Sequence, residues 1–313
     1  MYNGQSTAGR MSFTARVAKD FRLNKGLYLM VLPVIAYYLI FYYKPMYGAI
    51  IAFKDFNPLA GMANSPWVGW KHFLDFFNGY YFWRILRNTV TISVNTLLFG
   101  FPAPIILALL LNELRGRFFK RTVQTITYMP HFVSLVVICG MIKEFTMDSG
   151  FITQFLGLFG VQRASLLNNP GMFVPIYVIS DIWQQVGWGS IIFLASLSSI
   201  DPELYEAASI DGAGRWKQAL HITLPGMLPT IIVLLILRMG RMLSVGYEKI
   251  ILLYNPAIYE TADVISSFVY RKGLQEFNWS YSAAVGIFNS IINLALLIIA
   301  NWFSKKVNEN SLW

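Results

Sequence analysis

Residues 201–225 read DPELYEAASIDGAGRWKQALHITLP, a polar stretch between two long apolar runs, 171–197 and 227–246. Asp201 offers a capping carboxylate, Pro202 a pre-set φ at the first helical position, and Glu203 a negative charge at the positive end of the helix dipole. These features predict a short helix from Pro202 to about Ile210. Gly212, with Gly214 just after it, supplies a stop where positive φ costs nothing. A second short helix, about Arg215 to His221, then leads to Leu224-Pro225 at the edge of the next apolar run. The stretch is a two-armed bracket, and the runs on either side of it are long enough to cross a bilayer.

The rest of the chain repeats that pattern. Of its 313 residues 56% are hydrophobic and only 13% charged, about half the charged share of an average soluble domain, so part of the apolar surface must face lipid. Six stretches are expected to span: roughly 26–43, 88–112, 123–142, 171–197, 227–246 and 283–303. Pro102 and Pro104 fall in the second and Pro130 in the third, which predicts kinks in a bundle. A cleavable signal peptide is not expected, because Lys44-Pro45-Met46-Tyr47 follows the first run without small residues. The net charge of +9 is not arranged as a basic stripe with exposed aromatics, which argues against nucleic acid. The single cysteine, Cys139, lies in an apolar run, so no intramolecular disulfide forms.

Basic residues concentrate at three places: the N-terminal tail, the connection ELRGRFFKRT after the second span, and Lys305-Lys306 after the last. With six spans all three fall on one side, and the positive-inside rule assigns that side to the cytoplasm. The region 44–87 also carries five basic residues, but long segments translocate largely regardless of charge. The expected architecture is all-α and polytopic, with both termini cytoplasmic. A cytoplasmic segment 1–25 precedes a six-helix domain 26–305, whose bracket occupies 200–225, and a cytoplasmic tail 306–313 follows. An interfacial helix is expected around Asp263 to Val269 in an external region.

The bracket resembles the loop of permeases of ATP-binding-cassette (ABC) importers, written Glu-Ala-Ala, three residues, Gly, nine residues, Ile, one residue, Leu-Pro. Here it stands as Glu206, Ala207, Ala208, Gly212, Ile222, Leu224 and Pro225, with every spacing met. Chance would produce it on the order of once in a hundred thousand such proteins. The resemblance implies that the first arm is a coupling helix that docks on an ATPase subunit and transmits its closure as a rigid-body movement. Small residues suit a helix that enters a cleft, and Arg215, Trp216 and Lys217 would add contacts at its rim. The plainer alternative is an amphipathic loop that caps the bundle. DIWQQVGWGSIIFLASL, GYEKIILLYNP, YSAAVGIF and KKVNENSLW extend the likeness to the carbohydrate-uptake branch over roughly residues 25–313. That likeness implies an oligosaccharide cargo, a second permease (expected to be a different chain), two ATPase subunits and an extracytoplasmic solute-binding protein. It also implies a bacterial cytoplasmic membrane. No cofactor is expected on this chain; ATP and Mg²⁺ would belong to the ATPase, since no P-loop occurs here.

Asp181, Gln184, Gln185 and Trp188 fall at i, i+3, i+4 and i+7 on one face of the fourth span. A carboxylate and two amides can bond sugar hydroxyls and an indole can stack on a pyranose, although the same groups also serve as interhelical glue. Arg238 is expected about 16 Å into the bilayer, with Arg241 three residues on along the same helix. Two readings stay open: an arginine pairs with Asp181 as a gate or scaffold, or the arginines line a pore that favours anionic sugars. Asn289 and Asn293 form an i, i+4 pair for helix contacts or the path. The three histidines show no metal spacing. A secondary transporter or channel without an ATPase would use the intramembrane charges but leave the bracket unexplained, and no nucleophile–base constellation supports an enzyme.

Overall fold

The computed structural model describes residues 19–114, 116–160 and 164–308. Residues 1–18 of the expected N-terminal segment, Arg115 of the basic connection and residues 309–313 of the tail lie outside them. Among the described residues the chain is helical, with no strand beyond one isolated bridge, Lys54 to Trp67. Contacts divide it into a unit 1–51 and a larger unit 52–313.

In the first unit the helix α1 runs on from Lys25, and the continuous helical stretch is Lys25–Phe53. It reads LYLMVLPVIAYYLIFYY with hardly a polar position, and its large side chains are exposed all round. A helix apolar on every face needs lipid or another chain about it.

The second unit is built on α2 (Phe82–Glu113), α3 (Arg117–Phe132), α4 (Leu135–Thr146), α5 (Pro170–Leu197), α6 (Pro202–Ile210), α7 (Arg215–Met239), α8 (Tyr247–Leu253), α9 (Ile265–Tyr270) and α10 (Trp279–Asn308). Its core has layers. Ile92 of α2, Cys139 of α4, Phe173 and Tyr177 of α5 and Ile250 and Leu253 of α8 pack at one end, and Ala108, Phe193, Leu197 and Met227 join α2, α5 and α7 at the other. Helix α5 is the central post. Gly187 lets the α3 backbone touch it, since a Cβ there would collide with the Thr127 carbonyl.

Of the predicted kinks, a 100° bend follows Pro130, while Pro102 and Pro104 lie within the continuous helix Phe82–Glu113. Three π-helical turns, Leu39–Tyr43, Thr96–Gly100 and Ala219–Thr223, each end two residues before a proline: Pro45, Pro102 and Pro225. A proline ring clashes with the carbonyl four residues back, and a wider turn at that carbonyl relieves the clash while the helix continues. The second arm of the bracket is therefore no separate helix. It passes through its π turn into α7 as one helix, Arg215–Met239.

The third and fifth expected spans differ from the expectation. The segment 123–142 is two helices: Arg117–Phe132 and Leu135–Gly157 meet at 100°. Pro130 draws the first into a 3₁₀ turn, Met129–Phe132, after which Val133 and Ser134 are both extended (ψ 136°). The fifth stops at Met239 rather than 246, because Gly240–Met242 turns away, and Arg241 therefore sits off the helix that carries Arg238. Four helices and this bent pair are long and apolar enough to cross a membrane; α5 carries more polar residues.

The helix near 263–269 packs one side into the protein. It runs Ile265–Tyr270, with Val264, Ile265 and Phe268 buried. Asp263, fully buried, accepts from Arg271 at 2.6 Å and Ser267 at 2.8 Å, with Arg84 of α2 at 3.4 Å. Burial works against the charge of Arg271, but the Asp263 carboxylate outweighs it and holds the guanidinium above the ordinary arginine pKa.

Gly187→Val should destabilise the protein by about 1–3 kcal/mol through overpacking against α3. Gly140→Val, where a Cβ meets nothing within 4 Å, should not. Thermal unfolding of the detergent-solubilised protein checks both.

Candidate functional site

Two sites emerge in the larger unit, a bracket outside the long helices and a cavity between them. The bracket forms as its sequence dictates. The Asp201 carboxylate accepts the Glu203 backbone N–H at 2.9 Å, α6 covers Pro202–Ile210, and Gly212 takes φ +76°. Glu206 and Ala207 are exposed and Ala208 half-buried. Side chains that the sequence reading passed over fix the angle between the arms. Gln218 donates to Ser209 Oγ (2.9 Å) and to the Ala213 carbonyl (3.0 Å), and the Tyr205 hydroxyl bonds Thr223 Oγ1 at 3.0 Å. Ile222, Leu224 and Pro225 lie where the second arm becomes α7. Arg215 turns to Glu113 at the end of α2, 3.3 Å away, an exposed pair that adds little stability. Ile210 is 88% exposed and Trp216 77%, two large apolar side chains uncovered on one small element.

The cavity, of about 630 Å³, lies among α2, α5, α7 and the segment 241–249. It gathers Asp181, Gln184, Gln185, Trp188, Arg238 and Arg241, six of the eight candidates for a path. The α-helical periodicity of α5 sets the first four on one face, as predicted. Gln184 is only 7% exposed and its amide makes no hydrogen bond to any described residue, so a buried polar group there faces the cavity with its bonds unmade. Thr96 Oγ1, in the π turn of α2 on the same wall, is likewise buried without a partner. Polar side chains in this condition call for a polar ligand or water.

The expected pairing of Asp181 with an arginine does not occur. Its partner is Lys249 of α8, whose Nζ lies 3.6 Å from Oδ1 and 3.3 Å from the Tyr177 carbonyl, over the Tyr177 ring. Lys249 is 4% exposed, and a buried ammonium needs such partners. It stands in the quoted GYEKIILLYNP, but a lone lysine beside a glutamate reads as surface in a sequence. Arg238, Arg241 and Glu248 line the cavity with no opposite charge within 4.0 Å among the described residues. Asn289 and Asn293 lie outside it. Asn293 accepts the Leu243 N–H at 3.0 Å and donates to Ser244 Oγ at 3.0 Å, holding the turn after α7, while Asn289 Oδ1 is buried without a partner among the described residues.

A polar-walled cavity inside a bundle of long apolar helices, with an outward bracket of the Glu-Ala-Ala type, defines a membrane transport subunit. The chain belongs to the family of binding-protein-dependent transport system inner membrane components, which it matches over residues 100–309. It is 44% identical over 309 residues to protein LplB of Bacillus subtilis (98% of this chain, 96% of that one). It is 43% identical over 291 residues to the polygalacturonan/rhamnogalacturonan transport system permease protein YteP of the same organism (93% and 91%). Among solved structures, a bacterial ABC transporter involved in the import of the acidic polysaccharide alginate contains a chain that superposes with a TM-score of 0.87 at 44% identity, covering 94% of this chain and 99% of that one. The alginate transporter in complex with an alginate pentasaccharide-bound periplasmic protein gives 0.86 at 43%, covering 95% and 100%.

Lys249→Met should strand Asp181 and cost on the order of 3 kcal/mol. Adding Asp181→Asn should recover most of the loss, as thermal unfolding of the two variants will read.

Proposed function

We propose that this chain is one of two membrane-spanning permease subunits of an ATP-driven, binding-protein-dependent importer of oligosaccharides. One observation carries the coupling half of this reading: a capped, rigidly angled bracket that leaves Ile210 and Trp216 in the open. Uncovered apolar side chains on a structured element mark a docking site. The occupant is a nucleotide-hydrolysing subunit, which would bind ATP and Mg²⁺; this chain is a transport component and does no chemistry on them. Closure of two such subunits moves α6, and the movement enters the bundle through α7, with which the second arm is continuous. Glu206, Ala207, Ala208 and Gly212 are the contact and hinge positions.

In this reading α1, α2, the bent pair α3–α4, α5, α7 and α10 are six passes, with both termini and the bracket on the cytoplasmic side. Domain limits at 26 and 305 follow from it, as does residence in a bacterial cytoplasmic membrane. A second permease chain, different from this one, completes the pore, and an extracytoplasmic solute-binding protein delivers the cargo.

The cargo is an acidic oligosaccharide. Arg238 and Arg241 face the cavity without ion-pair partners among the described residues, and Gln184 waits there with an unbonded amide. Two of the similar proteins are named for acidic polysaccharides or their import, which supports the same assignment.

Reconstitution tests the whole. The chain alone in liposomes should take up nothing; with the partner permease, the ATPase and the binding protein, uptake should require ATP. Gly212→Val, strained at positive φ, should weaken co-purification of the ATPase and lower transport at least tenfold. Uptake by the chain alone would refute the assignment. Arg241→Ala should reduce uptake of uronate oligosaccharides roughly tenfold more than that of neutral ones, the loss of one charge-assisted contact. Equal losses would make the arginine a scaffold.

A further inference from the structure

Gln185 and Trp188 line the cavity, but the residue that sets both of them stands behind the wall. His131 lies in the 3₁₀ turn Met129–Phe132, at the end of α3 where the bent pair breaks. The glycine contact between α3 and α5 at Gly187 and Thr127 brings this turn against α5. The imidazole lies flat on the Trp188 indole, with ring centroids 4.5 Å apart and planes 2° from parallel. Its Nδ1 is 2.9 Å from Gln185 Oε1. Phe132 closes on the same indole edge-on, at 5.6 Å and 85°.

The amide is oriented with Oε1 toward the imidazole. A carboxamide oxygen only accepts, so Nδ1 carries the proton and donates. That bond fixes the amide, and its Nε2, which bonds no described residue, is left with two N–H donors for the cavity. Gln185 is biased toward donating, with one of its two acceptor lone pairs already used. In water an amide offers a donor and an acceptor alike, but with Oε1 held by His131 it favours groups that accept. The indole has lost the same kind of freedom, since one face is spent on His131 and two rings hold its plane. Loss of rotamer freedom before a ligand arrives is what pre-organisation means.

We infer that His131 is a specificity-determining positioning residue. By donating to Gln185 and stacking on Trp188 it turns this part of the wall into a fixed donor beside a fixed aromatic platform, a site for an acidic sugar ring. The pyranose lies on the indole, and its carboxylate or ring oxygens meet the Gln185 N–H groups, with Arg238 and Arg241 on the same cavity. The inference rests on the reading of the cavity as the path of an acidic oligosaccharide, and it adds a residue that never touches the cargo.

The test uses the complete transporter, with its partner subunits and binding protein, in proteoliposomes. ATP-driven uptake is measured against concentration for a uronate oligosaccharide and a neutral one of equal length. His131→Phe keeps a ring on Trp188 and removes the donor; His131→Asn removes the stack and keeps an N–H at the place of Nδ1. The expected result for His131→Phe is a five- to thirtyfold rise in apparent KM for the uronate cargo, with maximal rate and neutral uptake changed less than twofold. His131→Asn should retain the preference for the uronate. Gln185→Ala should reproduce the His131→Phe shift, and the two together should add less than twofold to either. A His131→Phe transporter that keeps its uronate preference, while Gln185→Ala and Trp188→Ala lose it, overturns this inference alone. Silence from Gln185→Ala, Trp188→Ala and Arg241→Ala together overturns the cavity reading and takes the inference with it. Loss of the preference in His131→Asn as severe as in His131→Phe also overturns it, since a general packing defect would then account for both. Should His131→Phe fail to assemble, Gln185→Glu reads the same contact: an acceptor set where the donors stood should lower the uronate preference at least tenfold, and an unchanged preference refutes the donor role.

Discussion

A peptide group in hydrocarbon has nothing to bond to but the chain itself, and prolines are where that supply fails. Before three prolines of the long helices, Pro45, Pro102 and Pro225, the backbone opens into one π turn. The widened turn lets the ring pass without breaking the rod. Much follows from those rods staying intact. Because the Ala219–Thr223 turn lets Pro225 through, the bracket is welded to α7 rather than hinged on it. Because Thr96–Gly100 lets Pro102 through, α2 crosses the whole bundle and turns Thr96 and Gly100 to the cavity. Where the chain breaks outright, at Val133-Ser134, no proline follows to be accommodated, and the break sets His131 against the central helix.

The cavity these rods enclose is electrically divided. Asp181 and Lys249 are occupied with each other, which leaves two guanidinium groups, Arg238 and Arg241, and one carboxylate, Glu248, on the wall without ion pairs among the described residues. A buried pair of that kind contributes little net stability, since desolvation offsets most of the attraction. Its consequence lies in the charge balance of the wall: with Asp181 offset by Lys249, two guanidinium groups stand against one carboxylate, Glu248. Amides at Gln184 and Gln185 supply polarity without charge, as a site for a hydroxylated cargo requires.

The bracket was legible because everything that makes it is local. A cap at Asp201, a proline at 202 and a glycine at 212 act within a few residues, and the helix of the structure runs between the limits they set. The polar face of α5 was legible for the same reason, since a period of 3.6 depends on nothing distant. What stayed hidden depended on long-range encounters. Lys249 reaches Asp181 across 68 positions of chain (249 − 181), on a short helix whose placement comes from the core around Ile250 and Leu253. Arg241 could not be known to leave its helix, because the turn at 240–242 is held by Asn293 of α10, through Leu243 and Ser244. Asp263, at the start of the expected interfacial helix, is the buried anchor of two arginines, one from α2 and one from just beyond α9. The histidine at 131 was passed over since no other histidine stood near it; its partners are an amide and an indole, which no search for metal spacing would find.

The bracket's bare isoleucine and tryptophan also bear on the life of the chain before assembly. Without a partner the chain displays Ile210 and Trp216 on a folded handle. Chaperones and proteases recognise such surface, so, on the proposed docking role, an unassembled copy would advertise itself for removal through the same two side chains that its partner would cover.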